Sequence, residues 1–151
     1  MRNLLIVFGL SVILAYASQY YGYNYMLEAG EKKKVNIFIV AMVVLMILFV
    51  GLRTGYNDTA TYLRGFENAE TLQMFFADKE NLNLLHNPLF YFMQAFFHTY
   101  INNVHLFFMF WATINIILFV RFLLTYTDGE DFAFTIFIFF SNPIFTVAII
   151  T

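Results

Sequence analysis

The chain has no cysteine, and its 151 residues include two prolines, one tryptophan and only 12% charged side chains. Without cysteine there are no disulfides and no thiolate-held metals, and the redox compartment stays unread. A formal net charge of −2 supplies neither the basic surface that a nucleic-acid partner needs nor a strong field of either sign. The scarcity of charge excludes more. An ordinary soluble domain carries about 25% charged residues, and a chain that is 61% hydrophobic leaves too little polar surface for a water-soluble fold of this length. An all-α, polytopic membrane protein is the class that remains.

A spanning helix needs about 20 mostly apolar residues, because the hydrocarbon layer is roughly 30 Å thick and each residue rises about 1.5 Å. Five segments come near that length: 4–21, 35–52, 87–100, 104–126 and 132–150. The first ends in a tyrosine cluster (Tyr16, Tyr20, Tyr21, Tyr23, Tyr25) of the kind found where membrane meets water. It resembles the apolar core of a signal peptide, but no clear small-residue cleavage site closes it and further apolar runs follow, so a retained helix is expected. The second is free of charge. The third opens on Asn87-Pro88, proline being suited to a first helical turn, and carries Gln94 and His98. The fourth contains Asn115 and Arg121, and the fifth meets Asn142-Pro143, where a kink or break is expected. The chain stops at Ile149-Ile150-Thr151, inside an apolar run, which leads us to expect the N-terminal portion of a longer protein.

The one long polar stretch, residues 53–83, separates the second and third spans. Within it, residues 60–77 set Leu63, Phe66, Leu72, Phe75 and Phe76 among polar neighbours in a loosely helical rhythm, the pattern of an interfacial helix. Basic residues stay on the cytoplasmic side in short loops, so Lys32-Lys33-Lys34 places the first loop inside. Residues 53–83 and the acidic group Asp128, Glu130 and Asp131 then fall outside.

Chemistry concentrates at the outer end of the second span, in Gly51-Leu52-Arg53-Thr54-Gly55-Tyr56-Asn57-Asp58-Thr59-Ala60-Thr61-Tyr62. An arginine and a carboxylate five positions apart, joined by a glycine-containing turn, can hold a phosphate-bearing donor beside a general base at the membrane surface. The same residues also allow a plainer account, in which Arg53 snorkels to the headgroups and Asp58 caps a helix starting near Thr59. Both accounts stay open on spacing alone.

The run Gly51-Leu52-Arg53, followed by Gly55, Asn57-Asp58-Thr59 and Tyr62, resembles the signature of the EpsG family, Wzy-like membrane proteins of bacterial exopolysaccharide and O-antigen polymerisation. A second family element, an acid-proline pair opening the next span, corresponds to His86-Asn87-Pro88-Leu89-Phe90, with Asn87 in place of the acid. The resemblance implies the N-terminal part of a multi-pass polymerase of the bacterial cytoplasmic membrane, a glycosyltransferase that uses polyprenyl-linked oligosaccharides without a soluble cofactor. It implies Asp58 as general base or ligand of the substrate hydroxyl and Arg53 as ligand of the pyrophosphate. Tyr56 and Tyr62 are then candidates to stack on sugar rings, with Asn57 beside them. Other polysaccharide-assembly membrane proteins are the partners it suggests.

Arg121 is a further candidate, since a charge inside the end of a span is costly unless it snorkels, pairs or lines a cavity. It would supply a second cation for phosphate, pair with Asp58, or reach the outer headgroups. The histidines His86, His98 and His105 do not form a metal set, because Asn102-Asn103 separates the last two and no carboxylate accompanies them. A transporter or flippase-like protein for lipid-linked saccharides is the rival class, with Arg53, Arg121 and the Asn142-Pro143 break lining its path. A non-catalytic assembly subunit is a third.

Overall fold

The computed structural model describes residues 2–22, 36–55, 59–77 and 87–142, and among them all regular structure is helical. The helices are α1 (Arg2–Gly22), α2 (Ile37–Gly51), α3 (Thr59–Glu67), α4 (Leu72–Ala77), α5 (Pro88–Tyr100), α6 (Val104–Tyr126) and α7 (Phe132–Ser141), the last preceded by a 3-10 turn at Gly129–Asp131. By length and composition, α1 (over Asn3–Tyr20) and α6 can cross a bilayer, while α2 and α7 are apolar but shorter at 15 and 10 residues. The expected fourth span coincides with α6, whereas the expected third, 87–100, is the 13-residue helix α5, too short to cross a bilayer as a straight helix. The expected fifth is helical to Ser141, and its remainder lies outside the described residues.

The chain forms two compact units, Met1–Val50 with Ala112–Ile150 and Gly51–Trp111. In the first, Ala15 of α1, Met42 and Met46 of α2, Ile116 and Val120 of α6, and Phe132 and Ile136 of α7 build one core. The face of α1 turned inward is made of Ser11, Ala15 and Ser18, all at 0% exposure, and such small residues let helix backbones approach closely. The opposite faces are just as apolar: Leu5, Ile6, Ile13, Ile117, Leu118 and Phe122 are exposed. A helix set that is hydrophobic inside and out has lipid, not water, as its solvent.

Polar side chains in this unit tie the backbone. Asn36 accepts from the Phe38 N–H at 3.0 Å, capping α2, and donates to the Ser18 carbonyl at 3.1 Å, joining α2 to α1. Gln19 donates through Nε2 to the Glu130 main-chain carbonyl. α7 ends where a break is expected, with Asn142 extended at φ −86°, ψ 115°, the conformation favoured before a proline. Asn115, in the middle of α6, is exposed.

The second unit is aromatic. Phe66 of α3, Phe97 of α5 and Phe107 and Phe108 of α6 form its core, with Tyr62, Phe90 and Trp111 packed against them. The helical rhythm over residues 60–77 is realised as two helices and not one. Asn68 turns its amide back onto the Arg64 carbonyl at 2.8 Å, the Ala69 N–H bonds Phe66 O, and Thr71 caps α4 through Met74 N–H. Side chains of this kind offer the backbone an alternative to continuing a helix. Adjacent asparagines then divide the work between α5 and α6. Asn102 takes a left-handed conformation, φ 48°, and its N–H bonds Phe97 O at 2.8 Å, closing α5. Asn103 accepts from the N–H groups of His105 and Leu106 at 3.0 and 3.3 Å, opening α6.

Candidate functional site

The loop element begins at Gly51, the last residue of α2, and its lack of a side chain is required by packing. A Cβ there would stand 2.2 Å from Met109 Cγ and 3.0 Å from Met109 Cα. Two residues on, Arg53 does not run outward over the surface as a snorkelling arginine would. It is 7% exposed, with its guanidinium carbon 5.2 Å from the centroid of the Phe108 ring. A guanidinium over an aromatic face is attracted by the ring quadrupole, more strongly once desolvated. Burial lowers the Arg53 pKa, and the electrostatic influence of Tyr62 pushes it back in part. The group keeps its charge at neutral pH. A planar cation held in a partly dry setting is suited to grip a phosphate or pyrophosphate in two-point fashion.

Tyr62 projects from α3, where its ring meets Phe90 edge-on at 6.2 Å. Phe90 in turn stacks on Trp111 at 6.1 Å with the planes 28° apart. Tyr62 lines a cavity of about 650 Å³ together with Asn87, Pro88, Leu89, Phe90, Tyr91 and Trp111, a volume within the roughly 300–1,000 Å³ of small-molecule sites. Asn87 stands in the left-handed region, φ 52°, immediately before Pro88 starts α5. Its amide, the two tyrosines and the Trp111 indole are the polar groups that the described residues bring to this cavity.

Of the residues expected to act, Arg53 and Tyr62 both meet the aromatic core of the second unit, Arg53 at Phe108 and Tyr62 packed against the same cluster. Tyr56, Asn57 and Asp58 lie outside the described residues, as does His86. Arg121 belongs to the other unit, where it is exposed on α6 and its carbonyl accepts from Thr125 Oγ1 at 2.8 Å. His98 packs edge-on against Phe66 and His105 against Phe108. Among the described residues no three of His, Asp and Glu converge to hold a metal ion. Phe108, Trp111 and Tyr91 were hidden in apolar spans as packing surface. The one available signal was that Trp111 is the single tryptophan of the chain.

Apolar helices with lipid-suited outer faces, together with a buried arginine at the mouth of one of them, define a helical membrane protein. The chain belongs to the EpsG family, whose model matches residues 36–151. Neither a curated protein nor a solved structure matches it.

Proposed function

We propose that this chain is the N-terminal part of a Wzy-like polymerase that joins polyprenyl-linked oligosaccharides during bacterial exopolysaccharide or capsule assembly. It would lie in the cytoplasmic membrane with about five spans and work beside other polysaccharide-assembly proteins. One observation carries this. Two separate sequence elements of family type, Tyr62 after α2 and the stretch 87–90 at the start of α5, line a single cavity, and Arg53 is buried against Phe108 of the same unit.

In this reaction an acceptor sugar hydroxyl attacks the anomeric carbon of the donor, and polyprenyl pyrophosphate leaves. Asp58 would take the hydroxyl proton as general base. Arg53 would neutralise the charge growing on the departing pyrophosphate, with Arg121 as a second cation. Tyr56, Asn57 and Tyr62 would position the sugars.

The test has two arms, run in this cysteine-free background. Single cysteines at Asn57 and Lys33 are probed with a membrane-impermeant thiol reagent on intact cells, and labelling at 57 alone is expected. Asp58→Asn in the intact protein should then abolish polymer while leaving membrane insertion unchanged. Normal polymer from that variant removes the catalytic role. Loss of transport on changing Arg121, with Asp58 dispensable, would indicate a carrier.

A further inference from the structure

We infer that the cavity beside Trp111 continues past Tyr91 into a second depression, and that together they form a binding groove for the sugar rings of the substrate, a subsite resting on the polymerase reading above. The second depression, about 200 Å³, is lined by Gly65, Asn68, Glu70, Tyr91 and Gln94 among others. Tyr91 is common to both depressions and is 49% exposed, so its ring is available to a ligand at either side.

The chemistry of the lining selects sugars over a lipid tail. A polyprenyl chain asks for aliphatic walls, and of the described residues bounding the larger cavity only Pro88 and Leu89 are of that kind. Rings from Tyr62, Tyr91 and Trp111 instead offer flat apolar faces with a polar tip, which match the alternating C–H faces and hydroxyl edges of a pyranose. The smaller depression adds the carboxamides of Asn68 and Gln94, which donate to and accept from hydroxyls, and the Glu70 carboxylate, which accepts. Gln94 is buried in the middle of α5, between Met93 and Ala95. Trp111 carries a buried indole N–H with no hydrogen-bond partner among the described residues. A buried donor is normally paired, and a ligand hydroxyl in the groove would supply the acceptor. An apolar cavity with a few convergent polar groups is the usual form of a small-molecule site.

Trp111, as the only tryptophan, reports its own site. The full chain, purified in mild detergent, is titrated with oligosaccharides released by partial acid hydrolysis of the producing cell's surface polysaccharide, and separately with undecaprenyl phosphate. Saturable change in tryptophan emission is expected with the oligosaccharides. Tyr91→Ala should weaken that binding at least ~10-fold, whereas Tyr91→Phe, which keeps the ring, should stay within ~3-fold of the parent. Three results overturn the groove: no saturable change with oligosaccharide, a response to undecaprenyl phosphate alone, or an unaltered affinity in Tyr91→Ala. Because binding is read without turnover, the two ideas separate. Saturable sugar binding in a protein whose Asp58→Asn form still makes polymer would retain the groove and discard the proposed catalytic role of Asp58.

Discussion

Replacing Gly51 with alanine tests the packing beneath Arg53. The added Cβ would meet Met109 Cγ at 2.2 Å, Met109 Cα at 3.0 Å and Met109 Cβ at 3.1 Å. A new rotamer of Met109 removes the first clash and leaves the others, so the backbones at 51 and 109 must separate. Overpacking of this kind costs about 1–3 kcal/mol. The better helix propensity of alanine returns at most ~1 kcal/mol, and less at the last residue of a helix. The expected net loss is about 1–2 kcal/mol, a change of roughly 5- to 30-fold in the folding equilibrium. Gly55→Ala is the control, since no atom of the described residues lies within 4 Å of its Cβ and its backbone is not left-handed. Both variants and the parent would be unfolded with dodecyl sulfate in mixed micelles and followed by the emission of Trp111, which belongs to the same unit. Equal stability of Gly51→Ala and the parent, or an equal loss in Gly55→Ala, would refute the close approach of Gly51 to Met109.

Two further substitutions probe the helix junction and the buried cation. Asn103→Ala removes the oxygen that accepts from His105 and Leu106 and should cost about 1 kcal/mol, with Asn103→Ser keeping most of it; an unchanged dodecyl sulfate midpoint in the alanine form would show that the cap is dispensable. Arg53→Lys keeps the charge but loses the planar contact with Phe108 and the two-point fit to phosphate. Stability should fall by no more than about 2 kcal/mol while polymer yield falls ~10-fold or more, the equivalent of about 1.4 kcal/mol in pyrophosphate binding; wild-type yield from this variant would leave Arg53 a packing role only.

The parts of the fold that were legible beforehand are those written in long periodicities. α5 begins, and α5 and α6 meet, at residues with strong local rules, Pro88 in a first turn and the asparagines 102 and 103 between helices. The split between α3 and α4 was not legible, because it turns on which bond Asn68 makes: its amide chose the Arg64 carbonyl. At the candidate site, Arg53 stood out as a charge just past an uncharged span, and Tyr62 through the resemblance to the family signature. Phe108, Trp111 and Tyr91 carried no such mark. With 21 phenylalanines and 10 tyrosines in the chain, another aromatic residue in an apolar run says nothing of what it faces, and only packing singles out the rings that border a cavity. The burial of Arg53 against Phe108 was likewise a matter of tertiary contact, invisible to spacing.

The junction at Asn102 and Asn103 leaves no slack between α5 and α6, since one residue finishes the first helix and the next caps the second. A single inserted residue at the head of α6 would turn everything beyond it by about 100°, one 3.6th of a helical turn. Trp111, seven residues into α6, would swing away from Phe90 and the cavity they share. The aromatic wall is thus held by chain registration as much as by side-chain identity.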